Sequence, residues 1–284
     1  MTAPVAVRMA AVIAVPMLLQ GVTACALRPH APVEPAPGVA AVRYQPYGAG
    51  YRGTTFTWVE QRFDDRATEI RFGLRYFLHA AVTGTQSPLE VEFVIDSIGL
   101  GGRPTAGISQ AHVDSARGAT YHATLSTAGR LSGFSGGEGA GSVATELTDR
   151  VLQQFFPLLP DEGVRPGARW ADTVDSRMSI NGIEHEVLLA SSHEALQWTS
   201  HAGRRALHIL STSSYTFSGS GTQAGHTFTI EGRGRRHAHK YIGDDGRYLG
   251  LVSADTSEGE ARVLDLDIVI PIRQTRVDSL SLEN

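Results

Sequence analysis

Ser135 is the one residue whose surroundings match a catalytic pattern. The segment Gly133–Gly137 reads Gly-Phe-Ser-Gly-Gly and so fits Gly-x-Ser-x-Gly, in which a nucleophilic serine stands on a sharp turn between a strand and a helix. Here glycines continue to Gly141 before any helical pattern begins, and the chain lacks the alternating strands and helices of such hydrolases. We interpret Ser135 as part of a glycine-rich loop and predict no catalytic residue.

Two histidines stand close enough to suggest metal binding. On a strand, His237 and His239 would face the same side about 7 Å apart, and they could supply two ligands to zinc or copper. No cysteine or acidic residue stands at a spacing that completes the set. We therefore predict solvent-facing strand histidines, with no metal and no cofactor.

One basic cluster surrounds these histidines. Its members are Arg233, Arg235, Arg236 and Lys240. It could meet anionic lipid headgroups or an acidic partner. The interpretation we favour is the charged outer face of a strand, which also discourages edge pairing.

The N-terminal residues indicate export. The apolar run Met9–Leu19 is shorter than the ~20 residues that cross a bilayer, and it matches the ~7–15 residues of a secretory signal. Small residues at Val22 and Ala24 suit cleavage before Cys25. The sequence thus predicts a signal peptide over residues 1–24.

The segment Val22–Cys25 resembles the bacterial lipobox, in which the cysteine is acylated and becomes the mature N-terminus. Cys25 is the only cysteine in the chain, whereas disulfides need pairs. We predict lipidation at Cys25, with a plain secreted protein as the alternative. The resemblance also implies that Ala26 does not retain the protein at an inner membrane, so we expect an outer-membrane lipoprotein facing the periplasm or the surface.

Prolines are frequent between residues 25 and 50, and the net charge of the chain is only −4. Proline favours an extended chain of roughly 3.1 Å per residue, so this segment is either a semi-rigid tether or a disordered leader. Nucleic-acid binders show a strong basic excess, which this chain lacks. We assign residues 51–284 to a single β-rich domain.

Strict alternation of apolar residues predicts long strands. From Ile70 to Val82 every even position is apolar, and Leu264–Ile272 repeats the pattern with Asp265 and Asp267 on the other face. These two aspartates superficially suit paired carboxylates, but the alternation favours a solvated outer face. We predict a mainly β fold: a long-stranded antiparallel sheet forming a curved half-barrel or barrel.

One segment shows a helical period instead. Val143, Leu147, Val151 and Phe155 recur every four residues, and Pro157 follows. We therefore predict one amphipathic helix over residues 143–156 that lies on the sheet.

The chain also repeats itself weakly. Gly129–Phe134 is echoed by Gly246–Leu251, and each Gly-Arg pair suits a hairpin in which glycine takes a positive φ. This repetition favours two related meanders over residues 51–160 and 161–284. Chance is the alternative, because hairpins share glycine-rich turns.

A short phrase carries a family resemblance. Pro160, Val164, Gly167 and Trp170 form a Pro-x3-Val-x2-Gly-x2-Trp pattern that resembles one found in uncharacterised β-rich bacterial lipoproteins. The resemblance implies an extracytoplasmic β domain and brings no catalytic residues. The overall layout is similar to the half-barrel carriers of lipoproteins and lipids, which is a likeness of architecture alone.

These observations predict a non-enzymatic envelope lipoprotein. In the first hypothesis, a hydrophobic ligand occupies a cavity of several hundred Å³ on the inner face of the curved sheet. In the alternative, the protein acts in assembly through protein–protein contacts and needs no pocket; an exposed apolar patch or an open strand edge would favour it. The expected partners are the membrane, through the lipid anchor, and either a hydrophobic ligand or an envelope protein.

Overall fold

The computed structural model describes residues 41–63, 66–101, 109–138, 148, 151–180, 183–223 and 225–283. Strands account for most of these residues. Their bounds are β1 Tyr47–Phe63, β2 Arg66–Thr83, β3 Leu89–Gly101, β4 Thr120–Leu125, β5 Leu131–Gly136, β6 Arg169–Ile180, β7 Ile183–His201, β8 Arg204–Gln223, β9 His226–Gly243, β10 Tyr248–Val263 and β11 Ile268–Leu282. A short helix, α1, spans Gln110–Asp114, and a 3₁₀ turn spans Leu264–Leu266.

The described strands form one antiparallel sheet of 11 strands in the order β5-β4-β3-β2-β1-β11-β10-β9-β8-β7-β6. β1 pairs with β11, with Tyr51 opposite Leu282. The sheet therefore consists of two meanders, β1–β5 and β6–β11, joined along their first and last strands. The predicted mainly β fold is confirmed as a single open, curled sheet of half-barrel type.

Strands β1–β5 lie within residues 47–136 and β6–β11 within residues 169–282, while the division into two related halves, 51–160 and 161–284, stays a prediction. β1 begins at Tyr47, inside the range 25–50 that we assigned to the tether. The signal peptide and Cys25 lie outside the described residues.

The alternation in β2 is confirmed residue by residue. The apolar side chains at its even positions are all buried: Ile70, Phe72, Leu74, Tyr76, Leu78, Ala80 and Val82. Arg71, Arg75 and His79, between them, are exposed. Burial of one such apolar side chain contributes about 1.5–3 kcal/mol to stability, and the sum over these side chains fixes the register of the strand. We call the buried side of the sheet the inner face and the opposite side the outer face.

An aromatic plug closes one end of the inner face. The ring of Phe155 makes edge-to-face contacts with Tyr51 and Tyr248, at centroid distances of 5.0 and 5.4 Å. Phe156 makes the same kind of contact with Tyr44 at 5.2 Å. Such aromatic pairs add about 0.5–1.5 kcal/mol beyond area burial, so the plug fixes residues 151–156 firmly on the sheet.

The Pro-x3-Val-x2-Gly-x2-Trp phrase connects this plug to β6. Val164 exchanges two backbone hydrogen bonds with Val42, at 2.8 and 2.9 Å. The indole N–H of Trp170 donates to the carbonyl oxygen of Leu158 at 3.1 Å, and Gly167 takes a positive φ of 83°. The phrase thus has a structural role here, since it fastens the N-terminal segment and directs the chain into β6.

The predicted helix is shorter at its C-terminal end than its stripe indicates. Residues 143–147 and 149–150 lie outside the described residues, whereas Thr148 and residues 151–153 are helical. The N–H of Phe155 donates to the carbonyl of Leu152 at 3.0 Å, an i→i−3 bond that closes the last turn. Pro157 disfavours helical geometry in the residue before it, so the chain leaves the helix early. Helix α1 was not predicted, because five residues are too short to show a period.

The prediction of one strand from Leu264 to Ile272 is wrong. Leu264 and Leu266 belong to the 3₁₀ turn and are 53% and 43% exposed, and Asp267 takes a left-handed φ of 52°. The alternation arises by chance across the turn between β10 and β11, and it corresponds to a strand only from Ile268 onward. Asp265 and Asp267 therefore do not share a strand face.

Both glycines of the echoed Gly-Arg pairs stand at hairpins, as predicted. Gly129 and Gly246 have φ values of 81° and 78°. A Cβ atom would lie 2.3 Å from the carbonyl oxygen of Pro157 at Gly129, and 2.1 Å from that of Arg43 at Gly246. Only glycine satisfies both the turn geometry and this close packing.

Candidate functional site

Ser135 lies in a strand rather than in the expected loop. It belongs to β5, opposite His122 on β4, and its side chain is exposed. No helix follows within the described residues up to 138, so the strand–turn–helix geometry of a nucleophile elbow is missing there. That Ser135 is not catalytic stays a prediction.

The basic cluster is divided between the two faces of β9. Arg233 and Arg235 are exposed on the outer face, as predicted, whereas Arg236 and Lys240 point to the inner face. Consecutive strand residues must point to opposite sides, so Arg235 and Arg236 cannot share a face. A single charged outer face is therefore the wrong interpretation for Arg236 and Lys240.

His237 and His239 both lie on the outer face, where His237 is exposed and His239 is half-buried. His239 meets a histidine from the neighbouring strand: its Nδ1 atom is 2.8 Å from Nε2 of His208. In the part of the chain that the structure describes, no three His, Cys, Asp or Glu side chains converge in a group that could hold a metal ion.

The inner face carries a band of buried and half-buried polar and charged side chains between two apolar ends, which we call the inner polar belt. Its members are Asp172, His193, Ser211, Tyr215, Arg236, Lys240, Asp255, Arg276 and Asp278, which cross-strand pairing places on neighbouring strands. Sequence reasoning missed this belt. The Ser-rich inner positions of β8 and β10 were its only signal, and they look the same as solvent-facing positions.

Asp255 is the centre of the first network in the belt. It is 1% exposed and accepts hydrogen bonds from Nε of Arg236 at 3.0 Å and from the hydroxyl of Tyr215 at 3.2 Å. Arg236 also donates to Oε1 of Gln154 at 3.0 Å, which connects the sheet to the chain beside the plug. Burial raises the pKa of Asp255 to about 7, although Arg236 acts in the opposite direction.

Asp278 is the centre of the second network. Its Oδ1 atom accepts from the hydroxyl of Thr55 at 2.8 Å and from Nε of Arg276 at 2.6 Å. Its Oδ2 atom accepts from the hydroxyl of Ser253 at 3.1 Å. Carboxylates held by several donors in this way fix the register of β1, β10 and β11 along the belt.

The third network is a line of three side chains. His193 contacts the hydroxyl of Ser211 through Nδ1 and the carboxylate of Asp172 through Nε2, both at 2.7 Å. The residue types are those of a serine hydrolase, which also needs an accessible nucleophile and oxyanion donors. Ser211 is 2% exposed and lies in the middle of β8, between β7 and β9. We interpret the line as a structural network.

Lys240 is the cation of the belt without an ion pair among the described residues. Burial, reinforced by Arg236, lowers the pKa of its ammonium group to about 8, while the charge of Asp172 acts in the opposite direction. An amine with a lowered pKa facing inward is a candidate contact for an anionic or polar group.

Two buried side chains of β1 have polar atoms without a partner in the described structure. They are the hydroxyl of Thr57, 0% exposed, and both amide atoms of Gln61, 2% exposed. Each such atom costs about 1–3 kcal/mol unless water or a ligand supplies the hydrogen bond. The inner face therefore has unused hydrogen-bonding capacity beside its apolar end.

Two grooves cross the sheet on the outer face. Their volumes are about 850 and 720 Å³. They share a central ridge, made of Leu188, Thr216, Arg233, Glu258 and Arg273, which pair in register from β7 to β11. The hydrophobic-carrier hypothesis placed a cavity of this size on the inner face. Many side chains of the described inner face are buried, and the two grooves open on the other side.

Two glycines on the inner face of β9 let aromatic rings approach the backbone closely. A Cβ atom at Gly234 would lie 1.9 Å from the hydroxyl oxygen of Tyr215, and one at Gly232 would lie 2.3 Å from Cζ of Phe217. The rings of Tyr215 and Phe217 therefore pack directly against the backbone of these two glycines. Glycine within a strand permits such a close approach, because it has no side chain in the way.

The two grooves carry opposite charge. Five carboxylates and two arginines line the larger groove: Asp175, Glu186, Glu231, Glu258, Glu260, Arg233 and Arg273. One carboxylate and three arginines line the smaller: Glu258, Arg233, Arg235 and Arg273. We call them the acidic groove and the basic groove. Leu188 stands between them and is 51% exposed, an apolar contact point flanked by charge.

The fold and these surfaces define the chain as a mainly β half-barrel protein with a polar belt inside and paired grooves outside. No protein-family model and no curated protein sequence matches the chain. Among solved structures, a mutant of the Rh. blastica porin is 9% identical, covers 84% of this chain and 100% of its own, and has a TM-score of 0.24. A likeness this low carries no argument. No helix among the described residues is long and apolar enough to cross a membrane.

Proposed function

We propose that this chain is an exported envelope lipoprotein, anchored through Cys25, that works without catalysis by binding an extended segment of another envelope protein. The observation that supports the proposal is the pair of oppositely charged grooves on the outer face. This is the assembly hypothesis, now with a defined surface.

The dimensions of the grooves suit a short peptide. The ridge crosses β7 to β11, and Asp175 of β6, opposite Leu188, extends the acidic groove by one strand. Neighbouring strands lie ~4.8 Å apart, so the acidic groove is roughly 24 Å long and the basic groove is one strand shorter. An extended chain rises about 3.3 Å per residue and would place roughly seven residues across the acidic groove. The acidic groove favours a partner segment rich in Lys and Arg, and charge complementarity sets its orientation.

Crosslinking in cells tests this proposal. We expect a photoreactive residue at Leu188 to capture one partner, because partly exposed apolar anchors at the centre of a site carry much of the binding energy. The same residue at Glu92, on the outer face of the other meander, is the matched control and should capture none. Glu231→Lys in the acidic groove should abolish the Leu188 product, and Leu188→Asp should weaken the isolated complex about tenfold or more.

The proposed groove function would be refuted by two results. One is a product that forms equally well from Leu188 and Glu92. The other is a product that Glu231→Lys leaves unchanged, since electrostatic complementarity would then play no part.

A second function, carriage of a hydrophobic ligand, is favoured by the unpartnered polar atoms of Thr57 and Gln61 beside the apolar inner face. An amphiphile could place its polar group there after the plug opens. Native mass spectrometry of protein from the envelope would then show a stoichiometric hydrophobe that Gln61→Leu removes. Bare protein of the calculated mass would count against carriage and leave the groove proposal intact.

A further inference from the structure

The two edge strands of the described sheet differ in how they are protected. β5, at one end of the strand order, is 6 residues long, and its register with β4 shifts between His122 and Thr124. A short, irregular edge strand discourages pairing with another chain. β6, at the other end, is 12 residues long, contains no proline and pairs with β7 in an unbroken register. β6 therefore lacks the short length and the irregularity that block the other edge.

The backbone of β6 presents every second residue to the open side. The N–H of Ala195 donates to the carbonyl of Ala168 at 2.9 Å. This pair directly precedes Arg169–Glu194, the first pair of the β6–β7 ladder. Even-numbered residues of β6 therefore bond to β7, since bonded and non-bonded pairs alternate along an antiparallel ladder. The N–H and C=O groups of its odd-numbered residues point away from the sheet, where no described strand pairs with them.

Two odd-numbered side chains carry opposite charge on the outer face. Asp175 and Arg177 are both exposed there. The side chain of Arg177 is 75% exposed even though its Nη2 atom lies 3.0 Å from Oε1 of Glu186 on β7, and a guanidinium has five N–H donors, so further acceptors can bind. An anion and a cation two residues apart on one strand are self-complementary. When an identical strand runs antiparallel with Asp175 opposite Arg177, symmetry supplies the same pair a second time.

Charge favours this register of two copies of β6 over its neighbours. In the neighbouring registers, Asp172, Asp175 or Arg177 faces itself, Arg177 faces Arg169, or Asp175 faces Thr173 without an ion pair. Like charges directly opposite each other destabilise a strand pair, whereas opposite charges stabilise it. The register with Asp175 opposite Arg177 also places odd-numbered residues opposite each other, so the free backbone groups of both edges can bond.

We propose that β6 pairs with β6 of a second copy of this chain, antiparallel about a two-fold axis at Ser176, with Asp175 and Arg177 forming two ion pairs across the axis. A second copy is the partner because the charge pattern of the strand complements itself. This contact uses the edge of the sheet and goes beyond the groove function, although Asp175 also lines the acidic groove.

Disulfide trapping of the full chain in its membranes tests the register. Ser176 would face its own copy in a non-hydrogen-bonded pair, with Cα atoms about 4.5 Å apart, which a disulfide can span. We expect Ser176→Cys to form a disulfide-linked dimer under mild oxidation. Thr173→Cys on the same strand is the matched control and should give no product above background, because the two introduced thiols would lie far apart. Wild type, whose only cysteine is Cys25, sets that background.

An exchange of charges, made in the Ser176→Cys background, tests the ion pairs. Asp175→Arg places cations opposite each other, and Arg177→Asp places anions opposite each other, so each variant alone should lose most of the dimer. When the two variants are expressed together with different tags, every facing pair again has opposite charges. We expect this mixed dimer to recover to the level of Ser176→Cys. An effect of either substitution within its own chain cannot produce the recovery.

Two results would overturn the proposal. One is a yield from Ser176→Cys no greater than that from Thr173→Cys, in variants whose circular dichroism matches that of wild type. The other is a mixed dimer that forms no better than the dimer of either charge variant alone. Neither result bears on the groove function, which is read out by the capture of a different protein at Leu188.

Discussion

Asp255→Ala is expected to lower the free energy of unfolding by about 3–5 kcal/mol. The carboxylate is 1% exposed, and it is the ion-pair partner of Arg236, whose side chain is 17% exposed. Removal of the carboxylate takes from the guanidinium its ion-pair partner and from the hydroxyl of Tyr215 one acceptor inside the sheet. The loss of one partner from a buried pair costs more than the pair itself contributes, because the remaining charge stays desolvated.

Urea denaturation measures this effect, read from the midpoint at constant m-value. Glu258→Ala is the matched control, since it breaks the Arg233–Glu258 pair on the same two strands, where the side chains are 77% and 56% exposed. Glu258→Ala should lower the free energy of unfolding by less than about 1 kcal/mol. The double variant Arg236→Met/Asp255→Leu should be more stable than Asp255→Ala, because it leaves no unpaired charge. Equal losses in Asp255→Ala and Glu258→Ala would contradict a buried charge network.

The same carboxylate makes stability depend on pH. Its folded-state pKa, about 7, lies above its ordinary value of 3.8. The folded state thus binds this proton more tightly than the unfolded state, and stability falls as the pH rises from about 4 to about 7. The difference in unfolding free energy between wild type and Asp255→Asn should shrink or change sign over this window and stay constant above it.

The fold was predictable where the alternation of residue types reports directly on burial. In β2 the apolar side chains at the even positions from Ile70 to Val82 are all buried. A shift of the register by one residue would turn all of them to the exposed face, so only one register is stable. The same rule failed at Leu264–Ile272. Apolar residues there alternate through a turn and into the next strand, and the sequence pattern looks the same as that of one continuous strand. Asp267, a non-glycine residue at positive φ, gave no sequence signal of that reversal.

The candidate sites were less predictable, because they depend on pairing between distant strands. His208 and His239 are 31 residues apart, and only the β8–β9 register brings their rings together. The grooves arise from rows that cross six strands, so no segment of the sequence shows them. The basic cluster around Arg235 and Arg236 looks like one surface in the sequence. Consecutive residues of a strand point to opposite faces, so the strand divides the cluster between its two sides.

The inner polar belt also limits what the inner face can do. An apolar tail would have to pass Asp255, Arg236 and Lys240, or enter from the end opposite the plug. Desolvating these groups without replacing their hydrogen bonds costs several kcal/mol. The belt therefore favours the outer grooves as the working surface, and it restricts any inner ligand to an amphiphile that supplies polar contacts of its own.

Cys25→Ser is expected to shift the protein from the membrane fraction to the soluble fraction almost completely. Each acyl CH₂ buried in a bilayer contributes about 0.8 kcal/mol, so a lipid anchor outweighs any contact that a water-facing domain makes with headgroups. Metabolic labelling with a fatty acid should mark the wild type and fail to mark Cys25→Ser. Ala26→Ser, one residue further, is the control and should stay labelled and membrane-bound.

A high-salt wash separates the anchor from the grooves. At 1 M salt the screening length is about 3 Å, so attachment through the acidic and basic grooves should be released while an acyl anchor persists. We therefore expect wild type to remain with membranes after the wash, and any residual Cys25→Ser to be washed away. If Cys25→Ser fractionates with membranes as the wild type does, before and after the wash, then the lipoprotein prediction is wrong, and the plain secreted alternative must explain attachment by other contacts.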